Sequence, residues 1–173
     1  MPLFQPLPAY SIRIRHKTLD LSKPQIMGIL NVTPDSFSDG GLFHEHEKAA
    51  EQALKLVEDG ADLLDVGGES SRPGAQTVSA ETELNRVLPV VEKIRGSTDI
   101  PISVDTCKAS VALAAIEAGA DIVNDISALR LDPEMRHVVS RTRVGLILMH
   151  MRGTPRTMQQ LPASIEIMGE IRK

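Results

Sequence analysis

The chain has 173 residues, of which 42% are hydrophobic and only 2% aromatic. That length is enough for a buried core, and aliphatic side chains must fill it. The formal net charge of -4 and the absence of a long basic run disfavour binding to a nucleic-acid backbone. The longest apolar stretches, such as residues 144–149, are too short to cross a bilayer. A single cysteine, Cys107, excludes an internal disulfide and favours a reducing, cytoplasmic setting.

The first 24 residues differ from the rest of the chain. Three prolines lie among the first eight residues, and residues 11–15 and 18–21 alternate apolar and polar side chains. This pattern predicts an N-terminal β-hairpin after an irregular lead-in. We expect the hairpin to lie at the bottom of a barrel formed by a second unit, residues 25–173.

From residue 25 onward, short apolar runs alternate with amphipathic stretches. The predicted strands are residues 26–30, 63–66, 102–104, 122–123 and 144–149. The predicted helices lie around residues 50–57, 84–94, 111–118, 131–141 and 164–173, with Pro133 in the first turn of the fourth. Gly60, Gly96 and Gly119 are expected to end the first three helices. The alternation predicts βα units and a parallel sheet, and it fits a closed barrel and an open doubly wound sheet equally well.

Polar residues collect where the predicted strands end. Asn31 follows the first strand, residues 67–72 the second, Asp105 the third, Asn124 and Asp125 the fourth, and His150 the fifth. In either type of parallel sheet the carboxyl ends of the strands form the ligand-binding side. The sequence therefore predicts a ligand site at this edge.

The residue types at this edge narrow the class of ligand. Asp105 and Asn124 offer a carboxylate and an amide, which suit the donors and acceptors of a flat heterocycle. Arg72 offers a bidentate grip on an anion. The sequence contains no nucleotide-binding glycine motif and no zinc-like Cys/His spacing. Ser70 and Ser71 have no evident base partner, which argues against nucleophilic catalysis.

Several long motifs carry a family resemblance. Residues 27–41 read MGILNVTPDSFSDGG, and residues 65–74 read DVGGESSRPG. Residues 103–106 (SVDT), 124–126 (NDI) and 148–151 (LMHM) follow in the same order. Together these segments resemble the signatures of dihydropteroate synthases.

The resemblance implies a fold and an activity. That family folds as a (β/α)₈ barrel of the TIM type, here an incomplete barrel of about five βα units. Its members join 6-hydroxymethyl-7,8-dihydropterin pyrophosphate to para-aminobenzoate and release pyrophosphate, assisted by Mg²⁺. They are cytoplasmic sulfonamide targets, and the resemblance implies a homodimer for the full-length protein.

The resemblance also implies roles for individual residues. The implied catalytic residues are Asp39, Arg72 and Asp105. The implied substrate-binding residues are Phe37, Ser70, Ser71, Pro73, Asn124 and Met149. Asn31 would contact the metal or the pyrophosphate, and Arg72 would meet either the aminobenzoate carboxylate or the pyrophosphate. Cys107 stands where the family commonly has serine and is expected to be inert.

Each role has a purely structural alternative. Asn31 could satisfy loop backbone groups, and Asp105 could cap the following helix. Asn124 could be a hydrogen-bonded amide of the barrel core, and Arg72 a surface ion pair. Met149 could be ordinary packing.

The family's barrel needs about 250 residues, whereas this chain has 173 and ends inside the fifth predicted helix. We therefore expect little or no synthase activity from the chain by itself. Two other functions stay open, a pterin-binding methyltransferase domain and a non-catalytic barrel fragment. The first would share Asp105 and Asn124 but is not expected to carry the loop of residues 31–41.

Overall fold

The computed structural model describes residues 10–33, 42–70, 77–153, 157, 160, 162 and 164–172. A hairpin of strands β1 (Ser11–Ile14) and β2 (Lys17–Asp20) comes first. The βα units that follow are β3 (Met27–Asn31), α1 (Leu42–Glu58), β4 (Leu63–Gly67), α2 (Ala80–Ser97), β5 (Ile102–Asp105), α3 (Ala109–Ala118), β6 (Ile122–Asp125), α4 (Met135–Thr142), β7 (Gly145–Leu148) and α5 (Ile167–Ile171).

The five later strands form one parallel sheet whose spatial order is the chain order, β3-β4-β5-β6-β7. A doubly wound sheet must reverse its strand order at a switch point, and none occurs among these strands. The continuous winding is that of a barrel. The two architectures that periodicity left open are thus separated, and the barrel-type fold is confirmed.

Successive side chains of each strand face opposite sides of the sheet. On β4, Leu64 and Val66 are fully buried in the core between the sheet and the helices. Leu63, Asp65 and Gly67 therefore face the barrel interior. This alternation decides which polar residues reach the site.

The buried face of helix α2 differs slightly from the face that its leucine residues predict. Its buried residues are Glu83, Val87, Val90, Val91 and Ile94, whereas Leu84 and Leu88 are only half-buried. An acidic residue, Glu83, thus occupies one end of the apolar stripe, where it forms an ion pair with Lys108.

The helix ends follow the glycine pattern in two of three cases. Gly60 and Gly119 have φ angles of 105° and 121°, in the left-handed region that ends a helix. Gly96 instead lies within α2, which continues to Ser97.

The predicted start of the fourth helix is wrong. The helix begins at Met135, and Pro133 lies in the preceding turn. The side chain of Asp132 accepts hydrogen bonds from the backbone N–H groups of Glu134 (3.0 Å) and of Ala109 (2.8 Å) on α3. These bonds hold Asp132 in the turn before α4 and join that turn to the start of α3.

The hairpin covers the amino-terminal end of the sheet, as expected for the bottom of a barrel. Ile14 is buried against Leu63 and Ile122, which begin strands β4 and β6. The Arg15 guanidinium donates to the carbonyls of Ile116 (2.9 Å) and Ala120 (3.2 Å) at the end of α3. The polar edge at the opposite end of the strands is therefore left open. Among the described residues, no helix has both the length and the apolar character needed to cross a membrane.

Candidate active site

Four neighbouring strands form one row of paired residues at the carboxyl edge, made of the last residues of β3, β4 and β5 and the next-to-last residue of β6. Asn31 pairs with Gly67, Gly67 with Asp105, and Asp105 with Asn124. Adjacent strands are about 4.8 Å apart, so the row, which crosses three strand-to-strand intervals, spans about 14 Å. The structure thus brings together Asn31, Asp105 and Asn124, three of the side chains singled out in the sequence.

Gly67 leaves a gap in the middle of the row. A Cβ atom there would lie 3.6 Å from Oδ2 of Asp105 and 3.9 Å from Oδ1 of Asn31. Any side chain at this position would fill the space between those two oxygens. The absence of a side chain therefore keeps both oxygens accessible to a bound group.

A buried carboxylate lies one layer deeper. Asp65 is 4% exposed, and its Oδ2 accepts a hydrogen bond from Nδ2 of Asn124 at 3.1 Å. Its Oδ1 is buried without a hydrogen-bond partner in the described part of the chain. Asn124 is therefore both the hydrogen-bonded core amide of the structural alternative and a member of the edge row.

Burial and neighbouring acids raise the proton affinity of Asp105. Burial raises the pKa of Asp105 to about 7, and the charges of Asp65, Glu83, Asp125 and Glu69 act in the same direction. Burial also raises the pKa of Asp65, while the neighbouring Ser103 hydroxyl and the Asn124 amide oppose the shift. A group with a pKa near neutrality can gain or lose a proton when a ligand binds.

Asp125 has a structural role instead of belonging to the edge row. Its side chain is buried and accepts hydrogen bonds from the backbone N–H groups of Ser127 (2.8 Å) and Leu129 (2.9 Å). These bonds hold a turn in which Ala128 and Leu129 adopt positive φ angles. The sequence grouped Asp125 with the strand-end polar residues, and its side chain is used to build the loop after β6.

A compact ionic cluster supports the loop after β4. The Lys108 ammonium contacts both Glu69 and Glu83, with 2.5 Å to Oε2 of Glu83. Burial alone would lower the pKa of Lys108, but its hydrogen bonds to the two glutamates outweigh that effect and raise it. The side chain of Glu83 is 1% exposed and its Oε1 has no partner among the described residues.

The same loop approaches α2 closely. A Cβ atom at Gly68 would lie 2.7 Å from Cγ2 of Val87. Arg86 donates to the Gly68 carbonyl at 2.7 Å. The first residues of the loop are therefore fixed on α2 by packing and by hydrogen bonding.

Sequence reasoning missed Asp65, Glu83 and Lys108 as site residues. The alternation of β4 carried a signal for Asp65, because it shares a face with Gly67. Glu83 lies four residues before Val87, on the apolar stripe of α2, and a charge at such a position indicates a buried partner. No local pattern marks Lys108, since its partners come from elsewhere in the chain.

One structural alternative is wrong. Asp105 does not cap α3, because the N–H of Ala109 is bonded to Asp132 and the Lys108 N–H to Thr106. The alternative for Asn31 concerns the loop of residues 34–41, which lies outside the described residues.

Burial, with a hydrogen bond to Asp125, raises the pKa of Cys107 to about 12, so its thiol is protonated and unreactive at neutral pH.

Met149 and His150 follow β7 at the same edge. Met149 is 37% exposed and lies beside the edge of the sheet at β7.

Five predicted site residues lie outside the described residues, namely Phe37, Asp39, Ser71, Arg72 and Pro73. Their roles stay predictions. Ser70 is the last described residue before that second segment.

A sequence profile described as Pterin binding enzyme matches residues 27–173. The chain belongs to this family. Among curated members, dihydropteroate synthase of Synechocystis sp. is 50% identical over 148 residues, which cover 86% of this chain and 51% of that protein. Dihydropteroate synthase of Bacillus subtilis is 52% identical over 130 residues, which cover 75% of this chain and 46% of that protein. The chain thus spans about half the length of the curated family members it matches.

Solved structures of pterin-binding family members agree with the fold. Dihydropteroate synthase of Yersinia pestis in a sulfonamide drug complex superposes with a TM-score of 0.84 at 46% identity, over 94% of this chain and 59% of that one. Dihydropteroate synthase of Xanthomonas albilineans with 4-aminobenzoic acid superposes with a TM-score of 0.83 at 45% identity, over 95% of this chain and 57% of that one.

Proposed function

We propose that this chain supplies the pterin-binding part of a dihydropteroate synthase. The observation that carries the proposal is the row of Asn31, Asp105 and Asn124 above the buried Asp65. The family and its named members support the choice of substrate class. The substrates would be 6-hydroxymethyl-7,8-dihydropterin pyrophosphate and para-aminobenzoate.

The proposed pterin contacts follow from hydrogen-bonding chemistry. The 2-amino and ring N–H groups of a pterin are donors, and a carboxylate accepts two such bonds at once. Asp105 provides that carboxylate at the edge, and the buried Oδ1 of Asp65 provides an unpartnered acceptor below it. Asn124, with its Nδ2 held by Asp65, keeps its carbonyl oxygen available as an acceptor.

The proposed reaction is a substitution at the methylene carbon of the pterin substrate. The bond from that carbon to the pyrophosphate oxygen breaks, and a bond to the amine nitrogen of para-aminobenzoate forms. The ring spreads the positive charge that develops on the carbon, and an ionised Asp105 beside the ring stabilises it. The amine then gives its proton to the departing pyrophosphate or to water. Because the amine attacks the carbon directly, no covalent enzyme intermediate is required.

The residues at the edge suit a magnesium ion. The oxygens of Asn31 and Asp105 flank the gap at Gly67, and Mg²⁺ prefers oxygen ligands together with water and phosphate. When bound, the ion would neutralise the leaving pyrophosphate. Within the described residues no group of three or more acidic, His or Cys side chains forms a metal site. The protein ligand that we propose is Asn31.

The remaining assignments complete the proposal. Phe37, Asp39, Ser70, Ser71, Arg72 and Pro73 would form the aminobenzoate and pyrophosphate side of the site. We propose a cytoplasmic enzyme that is a homodimer as a full-length protein and a sulfonamide target, in line with the drug complex of the Yersinia pestis protein.

Ligand binding to the purified chain tests the proposal without requiring turnover. Isothermal titration with the dihydropterin pyrophosphate and Mg²⁺ should give saturable binding. The variant Asp105→Asn should weaken binding about tenfold, because a hydrogen bond to a charged group is lost.

The matched control is Asp59→Asn, which makes the same substitution at an exposed position beyond α1. It should bind as the parent chain does. Binding of methyltetrahydrofolate with none of the dihydropterin pyrophosphate would instead favour a methyltransferase domain. No binding of any pterin would favour a non-catalytic fragment and contradict the proposal.

A further inference from the structure

A second cavity lies at the opposite end of the barrel from the candidate active site. It lies between the tip of the β1–β2 hairpin and the carboxyl ends of α3 and α4, is open to solvent on one side, and has a volume of about 330 Å³. Its lining residues are Arg13, Arg15, His16, Ile116, Thr142 and Arg143. Four of the six are thus basic, and none is acidic.

These basic side chains are not neutralised by the protein. In the described part of the chain, Arg13, Arg15, His16 and Arg143 form no ion pair with a carboxylate. The acid next to Ala120, Asp121, is paired with Arg95 (2.5 Å) and lies 3.9 Å from Lys17. Like charges gathered around one cavity repel each other, so this arrangement is stabilised when an anion enters.

The backbone holds two of the arginines in costly conformations. Arg15 and Arg143 have φ angles of 50° and 55°, in the left-handed region that favours glycine. The N–H of Arg15 donates to the carbonyl of Arg143 at 3.3 Å, which ties the two turns together. Strained non-glycine residues of this kind concentrate at functional sites.

The lining residues divide into fixed and available groups. The Arg15 guanidinium is held by the carbonyls of Ile116 and Ala120. The side chains of Arg13 and Arg143 make no hydrogen bond to another described residue and are free to bind. Ile116, which is buried, provides an apolar floor.

We propose that this cavity binds a small phosphate-bearing anion. Guanidinium groups match phosphate oxygens in a bidentate manner and bind them more strongly than they bind chloride. The volume admits a phosphate monoester or pyrophosphate. The site is independent of the proposed synthase function, because it lies at the amino-terminal end of the strands.

Calorimetric titration of the purified chain tests the site. The probes are orthophosphate, pyrophosphate and glycerol 3-phosphate, each with EDTA to exclude Mg²⁺, at low ionic strength. Arg13→Gln and Arg143→Gly should each weaken binding about tenfold, because each removes a charge-assisted contact. Arg143→Gly also relieves the positive φ angle, so its melting temperature should not fall. Tighter binding of glycerol 3-phosphate than of orthophosphate would identify a phosphate ester as the ligand. Equal binding of the two would identify free phosphate. Either result supports the site.

Two controls locate the bound anion. Arg136→Gln removes the same charge from an exposed position on α4 outside the cavity and should bind as the parent does. Asn31→Ala, at the other end of the barrel, should also bind normally. Undiminished affinity in the Arg13→Gln/Arg143→Gly double variant, loss of binding in Asn31→Ala, or no binding of any probe would overturn the proposal.

Discussion

Asp105 has chemistry that no local sequence pattern gives. Its pKa is raised to about 7 first by burial and then by four other acids. Those acids come from β4, the loop after it, α2 and β6. The motif around residue 105 identified the residue, but the protonation equilibrium depends on groups that only folding assembles.

The raised pKa predicts a pH-dependent stability. Between pH 4 and 7 the folded chain holds a proton on Asp105 that the unfolded chain has lost, so this group's contribution falls as pH rises through that window. Asp105→Asn removes the effect. At pH 8 the variant should be more stable than the parent, on the order of 2 kcal/mol, and at pH 4 the two should be alike.

Urea unfolding at both pH values measures this difference. Asp59→Asn, at an exposed position, should show no such pH dependence relative to the parent. Equal stabilities of the parent and Asp105→Asn at pH 8 would contradict the prediction.

At the scale of elements, ion pairs and close packing fix how the loops and the hairpin are placed. Lys108, just before α3, contacts Glu83 on α2 and Glu69 on the loop after β4. Ile14 on the hairpin packs against Gly145 at the start of β7. Each contact joins segments far apart in the chain, and each makes a testable prediction.

Lys108→Met should destabilise the chain by about 3 kcal/mol, because it leaves Glu83 charged, buried and unpaired. The double variant Lys108→Met/Glu83→Gln removes that uncompensated charge and should recover much of the loss. Chemical denaturation of the parent, both single variants and the double variant measures the coupling. Additive effects would show that the two residues do not interact energetically.

Gly145→Ala tests how closely the hairpin packs against the start of β7. Its Cβ would lie 2.5 Å from Cγ2 of Ile14 and 3.0 Å from Cγ1 of Ile122, so we expect a loss of about 2 kcal/mol from overpacking. Ile14→Ala alone should also destabilise, by about 3 kcal/mol, through a cavity. In the double variant Ile14→Ala/Gly145→Ala, the new methyl group of residue 145 partly fills the cavity left by Ile14. Thermal unfolding should therefore show a loss of stability smaller than the sum of the two single losses. Gly96→Ala, where a Cβ would meet nothing within 4 Å, is the matched control.

At the scale of the whole molecule, the described part of the chain forms one continuous arc of a barrel. Strands β3 and β7 each pair with a single neighbour in the five-stranded sheet. Apolar side chains beside those edges are correspondingly open, with Ile29 55% and Leu148 47% exposed. The edge row of Asn31, Asp105 and Asn124 therefore forms one wall of the candidate site.

The sequence by itself determined the kind of fold, most element positions and the family. The apolar runs, the glycines that end helices and the polar residues that follow strands are local patterns. Each depends only on residues that are close together in the sequence. They located Asn31, Asp105 and Asn124 correctly at one edge, because parallel strands place their carboxyl ends together.

The hydrophobic periodicity did not distinguish a barrel from a doubly wound sheet, because strand order is not a local property, and the tertiary structure confirmed the barrel that the family resemblance implied. It also separated Asp125, which builds a turn, from Asn124, which joins the edge row. The Glu69–Lys108–Glu83 cluster and the basic cavity under the hairpin could not be predicted from the sequence either. Their members lie far apart in the chain and gain their energies from contact, burial and charge, which exist only once the chain has folded.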